Sequence, residues 1–208
     1  GGFAGLLEET AKIGIERIRF TTSHPWDFTD EMIDVIARYE NIMPFIHLPV
    51  QSGDSDILKI MGRRYTREQY LTLFHKIKER IPHCAISTDI IVGFPNETEE
   101  QFQNTLSLVD ECRFDNAFTF IYSPREGTPA ASMADNVELA VKQRRLQELN
   151  ERWNLYAREK NEEYPEVFSG YTETNKLVNF RRTTAQSGDI VSVKITACKT
   201  FSLDGEQI

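Results

Sequence analysis

The sequence predicts an α/β fold in which parallel strands alternate with helices, followed by a small all-β module. Four apolar segments each lead through a polar turn into a capped helical pattern, which is typical of parallel strands joined by crossover helices. Four such units are too few to close an eight-stranded barrel, so we expect an open sheet or a piece of a longer chain. After residue 163 the helical pattern gives way to short alternating strands.

The composition is that of an ordinary globular protein, with 40% hydrophobic and 27% charged residues among 208. Apolar runs of about 18 residues are absent and the first residues lack the basic segment of a signal peptide, so we expect a cytoplasmic protein. The net charge of −8 disfavours nucleic acid in general, yet residues 165–208 carry as many basic as acidic side chains. Cys84, Cys112 and Cys198 form no CxxC pair, which argues against a disulfide scaffold and a zinc ribbon.

The first unit begins with a helix over residues 6–13 and continues with a strand over residues 15–22, where Ile18 and Phe20 share one face. Thr29 is expected to cap the next helix, because acidic residues follow it in the first turn. The predicted apolar stripe of that helix comprises Met32, Ile33, Ile36 and Ala37.

The second unit has a strand over residues 45–48, a polar turn over residues 49–53 and then a short helix. The capping box at residues 66–69 predicts another helix behind it. In the third unit a strand over residues 84–92 opens into a glycine turn, and a second capping box follows at residues 98–101.

The fourth strand is expected over residues 114–122, and a long charged helix over about residues 137–160 follows it. In parallel sheets the polar strand ends lie on one edge, where ligands bind. We therefore expect four loops to converge on a ligand site, at residues 23–24, 51–53, 93–97 and 123–128.

The last part of the chain predicts strands over residues 176–180, 190–195 and 200–203, with a turn at residues 186–189. Their spacing is that of hairpins. A module of about 45 residues is marginal as an independent core.

Several segments resemble those of the radical-SAM methylthiotransferases: RIRFTTSHP at 17–25, HLPVQSG at 47–53, DIIVGFPNET at 89–98 and FIYSPREGTPA at 120–130. A further segment, TETNKLVNF at 172–180, resembles the TRAM module of the MiaB-type branch, which acts on tRNA. The resemblance implies a partial, open TIM-like parallel β/α barrel of the radical-SAM type over residues 1–163. It also implies a partial, OB-like TRAM domain over residues 164–208.

The resemblance implies a reaction as well. In that family a [4Fe–4S] cluster cleaves S-adenosyl-L-methionine to a radical that abstracts hydrogen from C2 of N6-isopentenyladenine next to the tRNA anticodon. A second [4Fe–4S] cluster supplies sulfur and a second S-adenosylmethionine supplies the methyl group. The implied partner is tRNA, together with sulfur and electron donors of unknown identity. The alternatives are a methylthiotransferase for another adenosine or a ribosomal protein, and a non-catalytic RNA-binding protein that has lost its clusters.

The sequence also departs from the family. The family holds its radical cluster through CxxxCxxC and its second cluster through three cysteines of a preceding domain, and neither set is present. Cys84, Cys112 and Cys198 match none of these ligand positions and are interpreted as buried or indifferent thiols. The family has a longer segment between Glu163 and Pro165. We therefore interpret the chain as a fragment that should be inactive alone.

The candidate cofactor-binding residues are His47, Gln51, Ser52, Asp89, Gly93 and Glu97. Uncharged Gln51 and Ser52 suit ribose and adenine edges, and Gly93 would permit close backbone approach to the adenosyl group. Structural alternatives remain for the others, because His47 also fits a core histidine and Glu97 a helix-cap acid. Asp89 within an apolar strand needs a partner in either case.

The candidate RNA-binding residues are His24, Arg125, Lys176, Arg181, Arg182, Lys194 and Lys199. Arginine can contact phosphate or stack on a base, although Arg125 fits a structural salt bridge equally well. The basic residues of the tail alternate with aromatic ones, as on an OB-like RNA surface, but a solvated face has the same pattern. Trp26 is interpreted as packing, and the sequence identifies no catalytic residue.

Overall fold

A three-stranded parallel sheet, whose strands lie side by side in the order of the sequence, forms the centre of the larger part of the molecule. The computed structural model describes residues 2–21, 24–163, 166–168, 170–181, 191–199 and 202–208. The strands of this sheet are β1 (Phe45–His47), β2 (Ala85–Val92) and β3 (Asn116–Ile121). The helices are α1 (Gly2–Lys12), α2 (Asp30–Arg38), α3 (Ser55–Ile60), α4 (Arg67–Arg80), α5 (Glu99–Cys112) and α6 (Leu139–Glu163). Short 3-10 turns lie at Pro25–Asp27 and Pro129–Ser132.

The prediction of a strand over residues 15–22 is wrong. In its described part, residues 15–21, pairing is confined to a parallel bridge between Ile18 and Ile42. Ile18 is buried while Glu16 and Arg19 are exposed, so little apolar surface holds this segment against the sheet. The chain still reaches the expected edge of the sheet at His24.

The helix starts predicted from capping residues are confirmed. Thr29 accepts a hydrogen bond from the Met32 N–H at 3.3 Å, and both Thr66 and Thr98 form complete capping boxes. In α2 the stripe is shifted, because Val35 is buried and Ala37 is exposed. Ala37 lies in the last turn of this short helix, beyond the reach of the core.

The helices cover one face of the sheet and leave the other open. Along β2, Ile86, Ile90 and Val92 are fully buried in the main core, whereas Asp89 and Ile91 are only partly buried. The neighbouring strand continues this alternation, since its phenylalanines at 118 and 120 are exposed. The structure thus has the open parallel β/α arrangement that the sequence predicts.

A second, five-stranded sheet forms the β module. Its strands are β4 (Glu166–Phe168), β5 (Gly170–Tyr171), β6 (Leu177–Arg181), β7 (Ser192–Cys198) and β8 (Ser202–Gln207). They lie in the order β4–β7–β8–β6–β5. Its small core consists of Val178, Val193 and Leu203. The expected hairpin is present between β7 and β8, but β6 pairs with β8 in parallel rather than with β7.

Polar contacts join the β module to the larger part. The Arg19 guanidinium donates hydrogen bonds to the Thr172 carbonyl and to Asn175 Oδ1. Lys176 Nζ lies 3.7 Å from Asp115 Oδ1. Within the described ranges, none of the helices is long and apolar enough to cross a membrane.

Candidate functional site

An open groove of about 740 Å³ lies at the carboxyl ends of β2 and β3. Three of the predicted site residues line it: Gln51, Asp89 and Arg125. Apolar side chains, among them Ile91 and Phe94, form much of the remaining wall. A groove with an apolar wall and a few convergent polar groups is typical of a small-molecule site, and it lies at the sheet edge that the sequence predicts.

His47 and Asp89 form a pair on the open face of the sheet. His47 Nδ1 lies 2.8 Å from Ser87 Oγ, and His47 Nε2 lies 3.4 Å from Asp89 Oδ1. The ring also meets Phe118 edge-on at 6.0 Å. Since 28% of the Asp89 side chain is exposed, its carboxylate remains accessible from the groove while His47 orients it.

Gln51 links β2 to the loop that follows β1. Its N–H donates to the Asp89 carbonyl at 2.8 Å, and its own carbonyl accepts from the Ile91 N–H at 2.9 Å. Its φ of 71° lies in the left-handed region, which is uncommon for a residue other than glycine. The residue is only 8% exposed, yet it lines the groove, where a ligand could reach its side-chain amide.

Ser52 does not belong to this groove, and the prediction that it binds cofactor is not supported by its position. Its side chain is fully buried, 3.4 Å from Thr105 Oγ1, and accepts a hydrogen bond from the Asp54 N–H at 3.2 Å. The neighbouring Gly53 N–H donates to the same Thr105 hydroxyl at 3.0 Å. Ser52 therefore fastens the loop to α5 rather than facing a ligand.

Gly93 and Glu97 also have structural roles. Gly93 has a φ of 69°, and its N–H donates to Glu97 Oε2 at 2.8 Å. A Cβ at Gly93 would lie 2.4 Å from Lys142 Cγ, so the missing side chain makes room for Lys142. The Glu97 side chain is 1% exposed and bonds Arg145 Nη1 at 2.8 Å. Both residues thus hold the turn together, and their contact with cofactor stays a prediction.

Lys142 and Arg145 are functional-site neighbours that the sequence reading missed. Arg145 also donates to the Glu97 carbonyl at 3.1 Å, and Lys142 Nζ lies 2.5 Å from Asp135 Oδ2. Burial raises the pKa of Glu97, and the Gly93 N–H and Arg145 oppose that shift. The available signal was their spacing, because positions 142, 145, 149 and 153 form one buried helical stripe in which two members are cations.

His24 lies at the rim of the groove rather than within it. Its Nε2 is 2.5 Å from Arg63 Nη1, and Arg63 lines the groove. Burial, assisted by the charge of Arg63, lowers the pKa of His24, so the ring is neutral at neutral pH. The His24 ring also stacks on the Trp26 ring, with centroids 3.7 Å apart.

The basic residues of the β module differ in exposure. Lys194 is exposed, and Lys199 pairs with Asp204 at 2.7 Å on the surface. Lys176 is only 11% exposed and faces Asp115, so its position favours a contact between modules over a contact with RNA. The side chain of Arg181 and the whole of Arg182 lie outside the described residues.

The cysteines lie away from the groove. Cys84 and Cys112 are buried and line a separate cavity of about 300 Å³ between α4, α5 and the β module, and Cys198 belongs to β7. In the described part of the chain, no cluster of three or more His, Cys, Asp or Glu side chains could hold a metal ion.

Comparison with known proteins gives two family matches. The model of the Radical SAM superfamily matches residues 2–109, and that of the TRAM domain matches residues 159–208. Several curated proteins named tRNA-2-methylthio-N(6)-dimethylallyladenosine synthase are similar along the chain. Those of Bacillus mycoides (56% identical) and Bacillus cytotoxicus (55%) align with all of it, and that of Staphylococcus epidermidis (54%) with 96%. The chain spans 42–44% of the length of these relatives.

Proposed function

Since the chain belongs to the radical SAM superfamily, we propose that it is the cofactor- and RNA-binding portion of a tRNA methylthiotransferase. The reaction would add a methylthio group to C2 of N6-isopentenyladenosine next to the anticodon. The groove at the carboxyl edge of the sheet, with Gln51 and Asp89 in its wall, carries the proposal. The shared name of relatives at 54–56% identity supports the substrate. We place the domain boundary between residues 163 and 164, and we expect a cytoplasmic protein.

The residues of the groove fit S-adenosylmethionine. The Gln51 amide can both donate to and accept from an adenine edge or a ribose hydroxyl, and the Asp89 carboxylate can accept from hydroxyl groups. Ile91 and Phe94 offer apolar surface for the faces of an adenine ring. When bound, S-adenosylmethionine supplies the radical and the methyl group. The residues of this chain bind it, orient it through the fixed Gln51–Asp89 backbone pair and shield it from water.

The residues of the chain do not fit an iron–sulfur cluster. Such clusters are held by cysteine thiolates, and the cysteines here are dispersed between a buried cavity and the β module. We therefore place the two [4Fe–4S] clusters in the portion of the relatives that this chain does not span. On this proposal the chain alone is inactive and purifies without iron or sulfide.

The RNA would approach over the rim of the groove. Arg125 is exposed there, and Lys194 and Lys199 present charge on the β module, where phosphates could be neutralised. His24 acts at the same rim through Arg63. Sulfur and electron donors would act on the full-length protein.

The cofactor assignment is tested by calorimetry on the full-length protein that carries this sequence. Replacing Gln51 with Ala removes a charge-neutral hydrogen-bonding group and should weaken S-adenosylmethionine binding by about tenfold. Gln147→Ala on the exposed side of α6 is the matched control and should leave affinity unchanged. Equal affinity in Gln51→Ala would remove Gln51 from the site. Mass spectrometry of tRNA nucleosides after the reaction tests the substrate, and unmodified N6-isopentenyladenosine would refute it.

A further inference from the structure

A stack of planar side chains lies at the surface beside the groove and is formed by His24, Trp26 and Arg64. The rings of His24 and Trp26 lie nearly parallel, with centroids 3.7 Å apart and planes inclined by 24°. The Arg64 guanidinium carbon lies 5.0 Å from the centroid of the Trp26 ring. Trp26 is nevertheless 40% exposed and Arg64 is exposed as well, so this stack, called here the Trp26 platform, lies at the surface within reach of a ligand.

The backbone and the layer beneath hold the platform rigidly. Trp26 lies in the 3-10 turn Pro25–Asp27, which is closed by a hydrogen bond from the Asp27 N–H to the His24 carbonyl at 2.9 Å. Tyr65 meets Trp26 edge-on at 6.5 Å, and its hydroxyl donates to the Val50 carbonyl at 3.0 Å. A preorganised aromatic group loses little conformational entropy when a ligand stacks on it.

Packing alone does not account for this arrangement. A tryptophan that served the core would be covered, as Trp153 of α6 is. At the platform a large indole is instead kept at the surface, with a neutral imidazole stacked on it and a guanidinium near its ring. Exposed aromatic rings with arginine beside them suit the planar bases of single-stranded nucleic acid, and the arginine can also serve a phosphate.

The platform adjoins the groove through Arg63. This residue lines the groove and lies 2.5 Å from the His24 ring at the inner end of the stack. An enzyme that acts on one base must take it out of its stack, which exposes the face of the adjoining base. A platform at the mouth of the groove can replace the stacking that this neighbour loses.

We propose that the Trp26 platform stacks a nucleobase of the RNA, that of the nucleotide adjoining the one that enters the groove. This inference rests on the proposed function and adds to it a recognition surface on the barrel, separate from the β module. The platform thereby holds the target nucleotide in its extruded conformation.

Affinity for an RNA hairpin with a single-stranded loop, measured by fluorescence anisotropy on the full-length protein, tests this. Trp26→Leu should weaken binding by about tenfold, as expected for the loss of one stacked base. Trp26→Phe should restore most of the affinity, and Arg64→Lys, which keeps the charge but loses the plane, should show an intermediate loss. Arg80→Lys at the far end of α4 is the matched control and should bind as the parent does.

The deciding measurement repeats these titrations with hairpins in which either neighbour of the target adenosine is abasic. One of the two abasic hairpins should bind the parent protein about tenfold more weakly, and Trp26→Leu should add no further loss on that hairpin. An additional full loss from Trp26→Leu on both abasic hairpins would overturn the proposal. So would a fall in S-adenosylmethionine affinity in Trp26→Leu, which would assign the platform to the cofactor. If the parent protein bound no RNA, the proposed function itself would fail.

Discussion

The carboxyl ends of the strands carry polar residues on two sides, one facing the groove and one facing the packed helices. The residues are of similar types, but their surroundings differ. On the groove side, Asp89 is partly exposed, and Gln51, although only 8% exposed, lines the groove. On the helix side, Glu97 and Ser52 are buried and hydrogen-bonded to their own protein. The sequence places all four on one edge, but the two sides of that edge have different tasks.

This difference follows from the energetics of polar groups. A buried group that has its protein partners loses them if it turns to a ligand, so it stabilises the frame instead. A group at the groove exchanges water for ligand and loses nothing internal. Substitutions on the helix side should therefore change stability first, and those on the groove side should change binding first.

The largest expected effect comes from Arg145→Met. It would leave the Glu97 carboxylate buried without its counter-charge and should cost about 3–5 kcal/mol of unfolding free energy. Arg144→Met is the matched control, because that neighbouring arginine is half exposed and its ion pairs contribute little. Urea unfolding of both variants measures the difference. Equal stabilities would show that the pair does not hold the turn.

The loss in Arg145→Met should also depend on pH. Burial already raises the pKa of Glu97, and removal of Arg145 takes away a charge that opposes this shift. A raised folded-state pKa means that protonation favours the folded state, so stability rises as pH falls through that pKa. The loss should thus be smaller at mildly acidic pH than at neutral pH, and the reverse order would contradict the assignment of Glu97.

Gly93→Ala should have the next largest effect. Both Gly93 and Gly62 have a positive φ, so alanine at either costs about 1–2 kcal/mol of backbone strain. Only at Gly93 would the new Cβ also meet Lys142, at 2.4 Å from its Cγ, whereas the space at Gly62 is open. Thermal unfolding should show a larger loss for Gly93→Ala than for Gly62→Ala. Equal losses would mean that Lys142 moves aside freely.

Local signals predicted much of the fold. The capping boxes at Thr66 and Thr98 fix helix starts through contacts three residues apart, and the structure confirms both. The prediction of a strand over residues 15–22 was wrong because alternation alone does not indicate whether a neighbouring strand will bury the segment. The parallel pairing of β6 with β8 likewise depends on distant partners that local spacing does not report.

The sequence predicted the location of the site more accurately than it predicted the residues that line it. Convergence of strand ends follows from topology, and Gln51, Asp89 and Arg125 do meet at one groove. Which side of the edge a residue occupies depends on partners far along the chain, such as Arg145 for Glu97 and Thr105 for Ser52. A sequence pattern gives no sign of such partners unless a charged residue occupies an apolar stripe, as Arg145 does.

Asp89→Asn should change binding and spare the fold. The substitution removes a groove-side charge that His47 orients, and S-adenosylmethionine affinity of the full-length protein should fall by about fivefold to tenfold. The free energy of unfolding should stay near that of the parent, because the side chain is partly solvated. Asp34→Asn is the control, because the Asp34 side chain on α2 is 42% exposed. A loss of stability without a loss of affinity would mean that Asp89 stabilises the fold, as Glu97 and Ser52 do, and does not bind the cofactor.

The smallest effects are expected in the β module, where the same contrast separates Lys194 from Lys176. Lys194→Gln should reduce the slope of log affinity for RNA against log salt by about 0.7, as for one phosphate contact on a single strand. Lys176 is buried against Asp115, so Lys176→Gln should leave the slope unchanged and instead loosen the contact between the modules. Salt titrations by anisotropy, paired with limited proteolysis, separate the two effects. A change of slope in Lys176→Gln would show that this lysine leaves Asp115 when RNA binds, which would make the contact between the modules part of RNA recognition.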